Sequence, residues 1–224
     1  MGWSRLSTAA TPQLAPFATG LQSARRRSLA EAGPPAGAFY RGAAAMNVRS
    51  GEWNASRMAG RSWARSHRMI EVDVPGWRRL RLGTLVLDLN GTVAVDGRLL
   101  PVHSSVAELQ KRLDVCLLSA DTHGTLEAVA AELGVRAVRL QPGGGESQQK
   151  AKFVRELGPD SVVAVGNGAN DVGMLEIAGL SLAVLGDEGC AVGAIQVSDL
   201  LVGSADEALE LLLQTQRLVA SLRR

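Results

Sequence analysis

Leu85-Val86-Leu87-Asp88-Leu89-Asn90-Gly91-Thr92 is the stretch on which the fold turns. With Thr84 it makes a continuous apolar run that ends on a carboxylate, and an Asn-Gly turn follows. Such a run reads as a strand buried on both faces, the kind found in parallel sheets. Open α/β sheets bind their ligands at the carboxyl ends of these strands, and Asp88 stands there. The segment SVVAVGNGAND, from Ser161 to Asp171, repeats the design and delivers a second carboxylate. Two carboxylates on neighbouring strand ends suit a divalent cation and a phosphoryl group. One of them can also be a nucleophile, as aspartate is when an aspartyl-phosphate forms.

The elements around these two strands follow from periodicity. Ile70, Val72 and Val74 alternate with Glu71 and Asp73, Pro75-Gly76 is a turn, and Trp77 to Leu82 alternates again. A β-hairpin is therefore expected ahead of the core. Val93–Val95 and Arg98–Leu100 flank Asp96-Gly97, which predicts a second hairpin on a two-residue turn. Pro101 opens a helix to about Leu113. Strands are then expected at Val115–Leu118, Arg136–Leu140, Ser161–Val165, Leu182–Leu185 and Leu200–Val202. Between and after them come helices at Thr122–Leu133, Glu146–Leu157, Asn170–Ala178, Cys190–Gln196 and Ala205 to about Leu222. Strict alternation of this kind predicts the α/β class: a doubly wound parallel sheet covered on both faces, with the first hairpin preceding it.

Four motifs in order carry a resemblance. Asp88-Leu89-Asn90-Gly91-Thr92, Ser119-Ala120-Asp121 with Thr125, Lys150 with Val154 and Leu157, and Gly166-Asn167-Gly168-Ala169-Asn170-Asp171 have the order and spacing of the haloacid dehalogenase (HAD) superfamily. Over roughly residues 84–204 the chain resembles the small soluble HAD phosphatases that are similar to the phosphorylation domain of P-type ATPases. The resemblance implies a Rossmann-like HAD fold and a Mg²⁺-dependent phosphohydrolase. It implies that Asp88 is the nucleophile, that Ser119 bonds a phosphate oxygen, and that Lys150 neutralises charge on phosphate and Asp88. It also implies that Mg²⁺ is held by Asp88, Asn90 (through its main-chain carbonyl), Asn167 and Asp171. Gly91 lets the backbone turn closely, and main-chain groups at Gly91, Thr92 and Ala120 complete the phosphate cradle.

Two departures bear on rate and metal affinity. Asn90 stands where the phosphatases carry the aspartate that serves as general acid and base, and an amide cannot transfer that proton. Slow turnover is expected. Asn167 replaces a second usual aspartate, which removes one negative charge beside the metal. Other residues near the motifs have plainer expectations. Lys152 is the alternative occupant of the lysine position, Asp121 is expected to cap the following helix rather than ligate, His123 to lie on the surface, and Asp187-Glu188 to be a solvated loop pair. Between Asp88 and Ser119 there is room for one hairpin and one helix, and between Ser119 and Lys150 for a helix, a strand and a loop. Neither gap holds a cap domain. The cleft is expected to be open, with the Asp96-Gly97 hairpin as a flap and a partner or second subunit to cover it, and the substrate to be a small or macromolecular phosphoester.

The charge is unevenly spread. Residues 1–68 hold ten arginines against two acids, a net of +8, while residues 69–224 hold fourteen Lys+Arg against twenty Asp+Glu, a net of −6. The basic part is rich in Ala, Gly, Ser and Arg with little periodicity, so it is expected to be disordered. A targeting segment, a basic arm or sequence upstream of a true start at Met69 would each read this way, and the abrupt change beside a methionine favours the last. Residues 69–224 are expected to be the folded hydrolase domain, long enough to bury a core. Nucleic-acid binding is not expected of an acidic domain. Cys116 and Cys190 show no disulfide or metal spacing, and no run is long enough to span a bilayer, so a cytoplasmic location is expected.

Overall fold

The computed structural model describes residues 68–141 and 143–224, with Ala45–Met46 (β1) and Trp53–Asn54 (β2), which pair antiparallel, ahead of them. Apart from these and Arg68, the expectations for residues 1–68 lie outside the described residues. Alternation in the first hairpin gives Ile70–Val74 (β3) paired with Arg78–Leu82 (β4), with every second side chain buried.

The central sheet has six parallel strands. They are Thr84–Leu87 (β5), Asp114–Ser119 (β8), Arg136–Arg139 (β9), Val162–Gly166 (β10), Leu180–Val184 (β11) and Leu200–Val202 (β12), in the order β12-β11-β10-β5-β8-β9. The two short strands Ala94–Val95 (β6) and Arg98–Leu99 (β7) form the second hairpin on the Asp96-Gly97 turn, both residues at positive φ.

Alternate residues of the central strands feed two cores. Leu85, Leu87, Val163 and Val165 face one side, where His103–Leu109 (α1), Leu126–Leu133 (α2), Ala205–Leu213 (α6), Thr215–Leu222 (α7) and the first hairpin pack. Val86, Val162 and Ala164 face the other, under Glu146–Leu157 (α3), Val172–Ile177 (α4) and Val192–Val197 (α5). The sheet is doubly wound, and its strand order reverses between β5 and β10. That switch point is where open α/β sheets bind ligands.

Three expected elements differ most in extent. The helix after Pro101 runs only from His103 to Leu109. The closing helix is two helices, interrupted at Gln214, whose φ of −106° and ψ of 66° leave the helical region. The second helix, α2, starts at Leu126 instead of Thr122, because Asp121 and Gly124 both take positive φ and make a turn first. Both gaps around Ser119 hold only the elements expected of them, without a cap domain.

Candidate active site

Asp88 follows the last residue of β5, and its N–H is bonded to the Val165 carbonyl of β10 at 2.9 Å. The strand pairing thus continues through the carboxylate-bearing residue and fixes it at the switch point. Its side chain is buried, and Lys150 Nζ donates to Oδ1 at 2.5 Å. The same ammonium donates to Asp171 Oδ1 at 2.6 Å. Asp171 Oδ2 accepts the N–H groups of Asn167 (3.0 Å) and Gly168 (2.8 Å), which ties the loop after β10 around it. A Cβ at Gly166 would lie 2.6 Å from that carboxyl group, so only glycine fits there.

Two carboxylates share one ammonium, and the cluster is one negative charge out of balance. Burial first, and then the charge of Asp171, push the Asp88 carboxyl up to about 7, against the pull of Lys150. Burial alone would lower the Lys150 ammonium, but the two carboxylates override it and hold it above its ordinary range. Lys150 is fully buried while Lys152 is exposed, so of the two candidates only Lys150 reaches Asp88. Neighbouring elements aim it. Asn170 Nδ2 donates to Glu146 Oε2 at 3.0 Å, and the Gly173 N–H donates to Ser147 Oγ at 3.0 Å, which locks the start of α3 to the turn that carries Asp171.

The glycine turn after Asp88 closes tightly. The Gly91 N–H bonds to the Ala94 carbonyl at 2.7 Å, and Gly91 has φ +78°. A Cβ there would meet the Asn167 amide at 2.4 Å. Thr92 Oγ1 donates to Asn167 Oδ1 at 3.2 Å, and Asn167 Nδ2 donates to the Gly189 carbonyl at 3.1 Å. Asn167, expected beside a metal, therefore ties three loops together, and one lone pair of Oδ1 is left for a ligand. Asn90 Nδ2 reaches Thr122 Oγ1 at 3.4 Å, while its Oδ1 is buried and accepts from nothing.

Ser119 ends β8 and is buried, and its Oγ accepts the Asp121 N–H at 3.0 Å. Ala120 lies half-buried between them. Asp121 caps α2 from a distance: its Oδ1 accepts the Leu126 N–H at 2.9 Å. Its other oxygen meets Arg139 Nη1 at 2.5 Å, an ion pair without the alignment of a hydrogen bond. Sequence reasoning missed Arg139, which lies on an edge strand with no motif around it. It missed Glu146 and Ser147 as well, because they act by holding a helix. His123, Asp187 and Glu188 are exposed, and Glu188 Oε1 accepts the Asp96 N–H of the flap hairpin at 3.4 Å. Beside Gly91 and Thr92 lies a cavity of about 220 Å³, walled by Leu100, Gly186, Asp187 and Ser204.

Cys116 is a core thiol, pushed up to about 11 by burial. Cys190 is half-buried in the loop before α5, and burial and then the charge of Asp171 raise it too.

Oxygen donors dominate the cluster: the carboxylates of Asp88 and Asp171 and the remaining lone pair of Asn167 Oδ1, with the Asn90 main-chain carbonyl the expected fourth. This set fits a hard divalent cation such as Mg²⁺, which takes oxygen ligands and keeps several waters.

The comparisons with known proteins agree with this architecture. A family model for haloacid dehalogenase-like hydrolases matches residues 6–179, and the chain belongs to that family. An uncharacterized protein of Methanocaldococcus jannaschii is 39% identical over 84 residues, which cover 36% of this chain and 90% of that protein. Among solved structures, the cobalt-bound deoxy-D-mannose-octulosonate 8-phosphate phosphatase of Haemophilus influenzae superposes with a TM-score of 0.50 at 15% identity, over 61% of this chain and 90% of that one. The 3-deoxy-D-manno-octulosonate 8-phosphate phosphatase of Moraxella catarrhalis, solved with magnesium, phosphate and KDO, gives a TM-score of 0.48 at 17% identity, over 62% and 90%. The likeness to the Haemophilus influenzae phosphatase shows a shared fold. The protein is a hydrolase of the HAD type, and among the described residues no helix is long and apolar enough to cross a membrane.

Proposed function

We propose that the protein is a Mg²⁺-dependent phosphohydrolase that works through phospho-Asp88. The observation that carries this reading is the buried Lys150 ammonium held between Asp88 and Asp171 at the switch point of the sheet. A carboxylate and a phosphoryl group repel, and their approach needs cations already in place. Asp88, Asp171, Asn90 and Asn167 would hold the metal, which supplies charge neutralisation when bound.

Asp88 attacks phosphorus with one carboxylate oxygen. The bond from phosphorus to the leaving oxygen breaks, and that oxygen keeps the electron pair and takes a proton. Lys150 has three N–H groups and spends two on the carboxylates, so the third is available to a phosphate oxygen. Ser119 Oγ already accepts from Asp121, which leaves its own hydrogen for the phosphate. Of the main-chain N–H groups expected in the cradle, that of Gly91 is spent on the Ala94 carbonyl and that of Thr92 reaches the Leu89 carbonyl at 3.4 Å, so the Ala120 N–H would complete it. Water then attacks phosphorus, the acyl-phosphate bond breaks, and the Asp88 carboxylate and inorganic phosphate are restored. Asn90 can donate a hydrogen bond but not a proton, so the proton must come through solvent and turnover is slow. A larger substrate or a second copy of the chain would cover the open cleft.

A second reading is a phosphate-binding regulatory protein. It is favoured by Asn167, whose amide ties loops where the family carries a charged ligand. Phosphate release from p-nitrophenyl phosphate and a panel of small phosphoesters decides between them, measured on the full chain with Mg²⁺. Slow release in the wild type, none in Asp88→Asn and faster release in Asn90→Asp supports the enzyme. Phosphate binding without release in any variant supports the regulatory protein.

A further inference from the structure

Arg139 is placed beside Ser119 by the sheet itself. The register of β8 and β9 sets Ser119 opposite Arg139. Two residues beyond Ser119, Asp121 has φ +56°, a left-handed conformation that among non-glycine residues only asparagine and aspartate visit at all readily. Such a residue persists only when its surroundings over-determine it. Here they do so through three contacts. Its N–H is held by Ser119 Oγ, its Oδ1 by the Leu126 N–H, and its Oδ2 by Arg139.

The Asp121 side chain is fully buried while Arg139 is 44% exposed. A buried carboxylate needs a counter-charge, and Arg139 Nη1 at 2.5 Å supplies it. Glu127, at 3.8 Å from the other Arg139 nitrogen, is the other acid near this guanidinium. Without Arg139 the Asp121 carboxylate would be unneutralised two residues from Ser119. It would then repel a phosphate and lose its reason to stay inside.

We propose that Arg139 is a positioning residue for the phosphate site: it neutralises buried Asp121 and so holds the turn from Ser119 to Leu126 in the shape that aims the Ser119 hydroxyl. This rests on the reading of Ser119 as a phosphate ligand. Arg139 acts through Asp121 and does not touch phosphate itself. Removing both charges should therefore restore what removing one destroys. Asparagine at 121 tolerates the left-handed conformation and still accepts the Leu126 N–H.

The test uses the full chain with Mg²⁺. It compares wild type, Arg139→Gln and the double variant Asp121→Asn with Arg139→Gln. Readouts are KM and kcat for p-nitrophenyl phosphate and the inhibition constant of inorganic phosphate. Arg139→Gln is expected to raise KM and the inhibition constant about tenfold, roughly the worth of the one hydrogen bond from Ser119 to a phosphate oxygen that loses its aim, with a smaller change in kcat. The double variant is expected to return both to about the wild-type values. Amide hydrogen exchange of residues 121–126 should speed up in the single variant and recover in the double. A double variant as impaired as Arg139→Gln overturns the proposal, because Arg139 then acts by its own charge. Unchanged phosphate binding or unchanged exchange in Arg139→Gln overturns it too. Failure of the underlying reading is seen separately: phosphate release that survives in Asp88→Asn overturns the assignment of the site, and this proposal with it.

Discussion

Asp88, Lys150 and Asp171 hold three charges in one dry place, and their imbalance has a consequence for stability. In the unfolded chain Asp88 releases its proton near the ordinary aspartate value of about 4. In the fold it is pushed up to about 7. Between these values the folded state keeps a proton that the unfolded state has lost. The stability this gives is complete below about pH 4 and is lost as the pH rises through 7. Asp88→Asn has no such loss. In EDTA its melting temperature should exceed that of the wild type at pH 8, with the gap narrowing as the pH falls to 4. A gap that stays constant over that range would mean that Asp88 titrates normally. At this scale the sequence shows the charged groups but not their order of burial. Lys150 and Lys152 are equivalent as letters, and only the way α3 packs puts one inside. Arg139 was not legible at all, because its partner is reached across a strand pair and through a left-handed residue that no pattern announces.

Elements were legible where burial is two-sided. β5, β10 and β11 are buried throughout and, Thr84 and Ser181 apart, apolar, because helices cover both faces, and periodicity finds such runs readily. Element ends were less so. The start of α2 is set by Asp121 and Gly124 at positive φ, and the break at Gln214 by a backbone excursion inside an otherwise helical pattern. A close contact between helices also escapes a reading by pattern. A Cβ at Gly173 would lie 2.4 Å from the Ser147 carbonyl oxygen, so α4 meets α3 along bare backbone. Helix propensity would favour Gly173→Ala by about 1 kcal/mol. Overpacking against a fixed carbonyl costs about 1–3 kcal/mol and should win. Gly173→Ala is expected to lower stability in urea unfolding. It should also slow phosphate release, since α3 carries Lys150 and the turn before α4 carries Asp171. A neutral or stabilised variant would show that the two helices separate without cost.

On the scale of the whole molecule, the sheet divides labour between its two ends. Phosphate chemistry is assigned to the carboxyl ends of β5, β8 and β10, and the first hairpin closes the opposite end. Gly83 leads from β4 straight into β5, and its N–H bonds to the Ser161 carbonyl ahead of β10. Ile70, Val72, Val74, Leu80 and Leu82 join one core with Leu218 of α7, and the Arg224 N–H bonds to the Pro75 carbonyl at 3.1 Å. The hairpin and α7 thus seal the larger core together, away from Asp88. Leu218 is fully buried at this seal. Leu218→Ala should cost about 2–5 kcal/mol, the transfer loss plus the cavity left behind. Because the parallel strands between seal and site are fixed by their own hydrogen bonds, phosphate release per folded molecule at low temperature should stay at the wild-type value. Urea unfolding alongside turnover at 10–15 °C measures the two separately. Stability lost together with turnover would mean that the hairpin end and the site are one mechanical unit, whereas stability lost alone would mean that the sheet insulates one from the other.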